Sequence, residues 1–241
     1  MEALLTEIFY WVSLLSILGT LAGLLGHYIL FGPPLKKLPQ EPTDVKRMSG
    51  GERILHGSLL LGCVTLATTG FIGVLALREP ISGWLRACHV VVVPLFVVGL
   101  AGASLRWAYT CRFKSYDWEW AKKFGGYLWR SHNVPAGKFN AGQKAYFWMV
   151  LCLGIVVTLS GLGRAFPMFD AKIQLILLQV HRYSALFLLL SVLSHIYLGT
   201  LANPGTIQVI VTGRVKPTWA RHHHPIWWET LHEKEGAEQG D

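Results

Sequence analysis

The segment LLQVHRYSALFLLLSVLSHIYLG, residues 177–199, sets two histidines, His181 and His195, in a run otherwise suited to hydrocarbon. Its length and apolar character read as a membrane-spanning helix. A helix turns about 100° per residue, so fourteen residues bring His195 to within about 40° of His181, with a rise of about 21 Å. Both imidazoles therefore look the same way, one near each side of a bilayer. The rest of the chain has to supply what they face.

The composition agrees with a membrane protein. Of 241 residues, 52% are hydrophobic and 15% charged, and the mean hydropathy is +0.39, well outside the range of ordinary soluble domains. Five stretches are long enough to cross about 30 Å of hydrocarbon as helices: 8–31, 54–77, 84–108, 145–163 and 173–201. The expected fold is all-α: an integral membrane helical bundle of five transmembrane helices. The first span follows Glu2 and Glu7 and lacks the basic start of a signal peptide, so it is read as a true span. Cys63, Cys88, Cys111 and Cys152 form no CxxC or CxxCH, which disfavours a zinc site and covalently attached haem and leaves them as small buried residues or free thiols.

A formal charge of +8 could suggest nucleic acid, but its distribution argues otherwise. Lys36, Lys37, Lys46, Arg47 and Arg53 follow the first span. Arg106, Arg112, Lys114, Lys122, Lys123, Arg130, Lys138 and Lys144 follow the third, and Arg214, Lys216, Arg221 and Lys234 follow the fifth. The alternate short loops carry only Arg78, Arg86, Arg164 and Lys172. Basic loops stay on the cytoplasmic side, so the N-terminus is expected in the periplasm and the C-terminus in the cytoplasm. The charge is an orientation signal, and no nucleic-acid partner is expected.

Turns punctuate the chain at Gly32-Pro33-Pro34, Arg78-Glu79-Pro80 and Asn203-Pro204-Gly205. The loop 109–142 carries Tyr116, Trp118, Trp120, Tyr127 and Trp129 among lysines, a composition suited to lying flat at the interface. Thr206–Trp219 reads as a short interfacial helix. The expected organisation is an added helix and loop over 1–50, a four-helix core over 51–205, and a cytoplasmic tail over 206–241.

Two further histidines match the first two in depth. His56 opens the second span on the cytoplasmic side, level with His195, and His89 opens the third on the outer side, level with His181. Pairs at two depths suit two flat cofactors stacked across the membrane, each haem taking two axial histidines. A lone histidine in a span can equally bond a neighbouring helix; four that match by pairs favour ligation. Arg86 and Arg182 could meet haem propionates or serve as interfacial anchors. His27 has no partner at its depth and reads as interfacial, His132 carries no assignment, and His222-His223-His224 reads as a cytoplasmic contact surface rather than a metal site.

KFNAGQKAYFW at 138–148, the His181/His195 helix ending in HIYLG, and VTGRVKPTWARHHHPIWW at 211–228 resemble the cytochrome b (gamma) subunit of membrane-bound formate dehydrogenase, within the wider dihaem cytochrome b family. The likeness covers roughly 50–230. It departs at the first helix, the extended inner loop and the third histidine of the HHHP run. It implies two non-covalent haems b and a quinone site formed by Asn140, Gly142 and the inner ligand His195, with Gln143 and Lys144 as neighbours; Asn140 could instead simply cap a helix. It further implies an iron–sulfur subunit and a molybdenum or tungsten catalytic subunit on the periplasmic side, and a homotrimer of heterotrimers in the bacterial inner membrane. Electrons would pass from formate to menaquinone or ubiquinone, and this chain would not itself bind formate. The same wire could serve a hydrogenase or another molybdopterin or sulfur-compound oxidoreductase, also in the quinol-oxidising direction. A haem-free anchor or transporter is the reading from another class, and it lacks the broken helices and repeats usual in transporters.

Overall fold

The computed structural model describes residues 1–33, 41–128, 134–166 and 168–238. Pro34, Lys36, Lys37, Trp129, Arg130 and His132 lie outside the described residues. Among the described residues, five helices are long and apolar enough to cross a membrane, making the protein multi-pass. They are α1 (Glu2–Phe31), α2 (Gly50–Phe71, continued by a π-helical stretch Ile72–Leu77), α3 (Gly83–Trp107), α5 (Ala141–Ala165) and α6 (Ala171–Gly199). Of these, α2 and α5 begin before the apolar run suggests, because polar caps extend them. Ser49 and Glu52 cap α2 reciprocally, Glu52 N–H donating to Ser49 Oγ at 3.2 Å and Ser49 N–H to Glu52 Oε2 at 2.7 Å. The remaining helices are short: α4 (Ser115–Lys122), α7 (Gln208–Val211), α8 (Pro217–His223) and α9 (Pro225–Glu238).

The chain divides into two compact units. The first takes Met1–Leu25, Ile54–Leu105 and Met149–Ile196. Its centre is Phe96 and Leu100 of α3 with Leu188 of α6, packed against Leu59, Cys63 and Leu66 of α2 and Val150, Leu153 and Val157 of α5. Apolar matching alone does not hold helices together in lipid, where the tails are as apolar as leucine, so close approach matters. A Cβ at Gly99 would stand 2.7 Å from Ser58 Oγ, which is why glycine permits the α2–α3 contact there. The N-terminal part of α1, up to Leu25, joins this unit through Phe9, 1% exposed and edge-on to Tyr183 of α6 at 5.1 Å.

The second unit takes Gly26–Arg53, Arg106–Trp148 and Tyr197–Asp241. Its core is Val209, Val215, Trp219, Ala220 and Trp227. Here the expected single interfacial helix over 206–219 is corrected. The chain makes one turn (α7), then a strand β2 (Arg214–Val215) pairing antiparallel with β1 (Val45–Lys46), then α8. Gly213, at φ +78°, breaks the helix and turns its carbonyl to the N–H groups of Arg47 and Met48. The ladder is short because both strands lie between helix ends.

Arg47 holds this unit together. Its Nη2 donates to the Lys138 carbonyl at 2.6 Å and to His224 Nε2 at 3.1 Å, and its guanidinium lies 5.1 Å and 4.9 Å from the rings of Trp219 and Trp227. Burial pushes its pKa down to about 9. His224 is 1% exposed, with Nδ1–H donating to the Gly137 carbonyl at 2.7 Å. This corrects the contact-surface reading for His224, which is an internal strut; His222 is exposed and His223 partly buried. His27 likewise has partners, Tyr197 hydroxyl at 2.6 Å and the Tyr127 carbonyl at 3.2 Å. All four cysteines are free thiols, Cys111 buried and Cys88 and Cys152 exposed.

Candidate functional site

Within the first unit the four histidines meet in two pairs. The His56 and His195 rings lie 6.2 Å apart between centroids, and the His89 and His181 rings 6.4 Å apart. These distances can be set against a metal. With each ligating nitrogen about 2 Å from the ion and each ring centre roughly 1.1 Å behind its nitrogen, two trans imidazoles stand about 6.3 Å apart. Both pairs match that span. Face-to-face stacking would bring the rings nearer, and a direct hydrogen bond would require ring nitrogens within about 3 Å.

The far side of each ring shows which nitrogen is available at the second pair. His181 Nδ1 lies 2.9 Å from the Val157 carbonyl. A carbonyl only accepts, so Nδ1 carries the proton and Nε2 keeps its lone pair. His89 Nδ1 lies 2.7 Å from Thr69 Oγ1. That hydroxyl spends its proton on the Thr65 carbonyl at 2.7 Å, so it too must accept from the imidazole. Such anchoring of the distal N–H is the usual support for a metal-bound histidine. At the first pair, His56 Nδ1 is buried with no hydrogen-bond partner. These rings fit two bis-histidine haems, one per pair.

The candidate propionate partners differ. Arg86 is exposed on the first turn of α3. Arg182 is engaged by α1, its Nη1 donating to Thr6 Oγ1 at 3.2 Å and its guanidinium 5.5 Å from the Phe9 ring.

Asn140, Gly142, Gln143 and Lys144 lie in the second unit. Gln143 N–H donates to Asn140 Oδ1 at 2.9 Å and Asn140 N–H to Gln143 Oε1 at 3.1 Å, a reciprocal cap at the start of α5. The cap uses the carboxamide oxygens and leaves both NH2 groups outside it. A Cβ at Gly142 would meet Trp120 at 2.7 Å, so the indole packs on that glycine. The Lys144 ammonium, expected beside a quinone, donates to Asp117 Oδ2 at 2.6 Å, with side-chain exposures of 2% and 4%. Asp117 was not singled out from the sequence, since nothing local marks a carboxylate 27 residues away as the partner of Lys144. Glu52, also missed, accepts from Trp107 Nε1 at 3.1 Å and pairs with Arg106 at 3.0 Å and Lys138 at 3.5 Å.

Comparison with known proteins places these features in a family. The family model for prokaryotic cytochrome b561 matches residues 47–213. The formate dehydrogenase cytochrome b556 subunit of Haemophilus influenzae is 31% identical over 203 residues, covering 77% of this chain and 83% of that protein. The nitrate-inducible formate dehydrogenase cytochrome b556(Fdn) subunit of Escherichia coli K12 is 28% identical over 118 residues, or 46% of this chain and 52% of the relative. The E. coli cytochrome b556(fdo) subunit is 30% identical over 116 residues, with 46% and 54% covered. The chain thus spans about half the length of the E. coli relatives it matches.

Proposed function

This chain belongs to the prokaryotic cytochrome b561 family, and from that premise we propose that it is the membrane cytochrome b subunit of a formate dehydrogenase complex. It carries electrons from a periplasmic catalytic subunit, through an iron–sulfur partner, to menaquinone or ubiquinone. The observation that carries the reading is the pair of histidine pairs, with ring separations of 6.2 Å and 6.4 Å. Support for formate as the donor comes from the names of the relatives.

In this reading His56 and His195 hold one haem b and His89 and His181 the other, within a core over 51–205. Haem b, when bound, supplies a one-electron couple, and two of them at two depths supply a path across the bilayer. The chain's own residues do the rest. His181 and His89 are fixed in the Nδ1–H form by Val157 and Thr69, which keeps each Nε2 a lone-pair donor.

The NH2 groups of Asn140 and Gln143, left outside the helix cap, are the proposed donors to the oxyanion of a quinone under reduction. Charge asymmetry of the loops supports an orientation with the His56/His195 end toward the cytoplasm of a bacterial inner membrane. Protons consumed there, with electrons moving inward, store energy at about 2.3 kcal/mol per charge per 100 mV.

The test is a reduced-minus-oxidised spectrum with pyridine haemochrome quantitation of the purified wild type and His195→Ala. Two haems b per chain, falling to one in the variant, are expected, with formate reducing the bands in intact membranes. No haem in the wild type, or two in His195→Ala, refutes the ligand set; haem that formate leaves oxidised refutes the donor.

A further inference from the structure

Each histidine of the His89–His181 pair faces the same two-residue device on the preceding long helix. His89 of α3 meets Thr69 followed by Gly70 on α2, and His181 of α6 meets Ser160 followed by Gly161 on α5, across separations of 20 and 21 residues. Both hydroxyls are buried, Thr69 at 6% and Ser160 at 3% exposure. Both give their proton to a carbonyl of their own helix, Thr69 to Thr65 and Ser160 to Val156 at 2.6 Å. Each therefore turns lone pairs toward an imidazole Nδ1, at 2.7 Å for His89 and 3.5 Å for His181. Gly161 lets its ring approach, since a Cβ there would lie 3.1 Å from His181 Cε1, whereas a Cβ at Gly70 would make an ordinary 3.5 Å contact with His89 Cε1.

A hydroxyl inside a membrane helix is satisfied by its own backbone and needs no second partner. Nothing in helix packing requires two of them to sit against two histidines. His56, at the other pair, has its Nδ1 buried and unpartnered, so the device does not serve every ring.

We propose that Thr69 and Ser160 are positioning residues for the His89–His181 haem, and that they lower its potential. The inference rests on the ligand set proposed above. A hydrogen bond accepted from Nδ1–H leaves more electron density on the imidazole, strengthens its donation to iron and favours the ferric state. Thr69 carries the larger share because its contact is the shorter, 2.7 Å against 3.5 Å, and because His181 also has the Val157 carbonyl at 2.9 Å.

The experiment is an optical redox titration of the purified chain as wild type, Thr69→Val, Thr69→Ser and Ser160→Ala, with haem content and the ferric low-spin EPR signal recorded for each. Valine keeps the shape of threonine and removes the acceptor. We expect Thr69→Val to raise the reduced-to-oxidised ratio of one haem about tenfold at fixed ambient potential, which is 59 mV for one electron. Its EPR signal shifts and the other haem stays put. Thr69→Ser restores wild-type behaviour, and Ser160→Ala moves the same haem the same way by less.

Two haems in Thr69→Val with both midpoints unmoved overturns the inference while the ligand set stands. So does a Thr69→Ser shift as large as that of valine. Should Thr69→Val lose haem, an unmoved Ser160→Ala is the refuting result. His89→Ala retaining two haems overturns the ligand set itself, and this proposal with it.

Discussion

Replacing Lys144 with methionine tests whether this lysine serves the fold or a quinone. Lys144 and Asp117 meet at 2.6 Å with 2% and 4% side-chain exposure. At an effective dielectric of about 20 their attraction is about 6 kcal/mol before desolvation is counted. Removing the cation strands a buried carboxylate, and deletions of that kind cost about 3–5 kcal/mol. The adjacent reporter is Cys111, 2% exposed, whose pKa burial pushes up to about 11 and whose carbonyl accepts from Trp148 Nε1 at 3.0 Å. With the other three cysteines changed to serine, thiol labelling of Cys111 reads local opening directly. Lys144→Met should speed labelling by roughly a hundredfold to a few thousandfold. Asp117→Asn added to Lys144→Met should recover most of that protection, because the carboxamide oxygen still caps Lys114 N–H, held at 2.7 Å in the wild type. Labelling at the wild-type rate in Lys144→Met, with quinone reduction abolished, would refute the structural assignment and return the lysine to the quinone. A double variant as labile as the single one would show that unpaired charge is not the cause.

Three other outcomes are expected. Gly161→Ala places a methyl within 3.1–3.2 Å of the His181 ring, so the ring must tilt, and the ferric EPR signal of one haem should move while the other holds; identical spectra would contradict that contact. Arg47→Leu leaves His224 Nε2 without its donor and removes the cation between Trp219 and Trp227, which should cost about 2–4 kcal/mol and make the tail trypsin-sensitive at temperatures where the wild type resists. Acid should loosen the same unit. Burial holds His223 down to about 3 and His224 well below its ordinary value of 6.5. The unfolded chain therefore binds protons first, and stability falls as pH drops below about 6.5, by up to about 1.4 kcal/mol per pH unit for each histidine. A tail equally protease-resistant at pH 7.5 and pH 5 would contradict this.

The five spans were legible because a membrane demands long apolar runs with every backbone group satisfied internally, a constraint written locally along the chain. The cap that starts α2 at Gly50 rather than 54 was also local, but Ser49 and Glu52 are ordinary residues until their hydrogen bonds are seen. The second unit was the least legible. Its strand pair joins Val45 to Val215 and its buried cation joins Arg47 to His224. No periodicity spans such separations, and a basic loop followed by a histidine run reads as solvated surface.

The histidines divide between the two sources of information. Helical rise and the alternation of spans assign His56 and His195 to one depth and His89 and His181 to the other, because depth in a bilayer is a one-dimensional coordinate that counting residues can follow. Helix rotation and the choice of neighbour are not one-dimensional. They depend on how side chains of several helices fill shared space, with Phe96, Leu100 and Leu188 at the centre and Gly99 permitting the α2–α3 contact. Packing of that kind sets the ring separations of 6.2 Å and 6.4 Å and turns Thr69 toward His89. The same many-body packing commits Lys144 to Asp117, since the partner of a buried charge is chosen by whatever else is buried beside it.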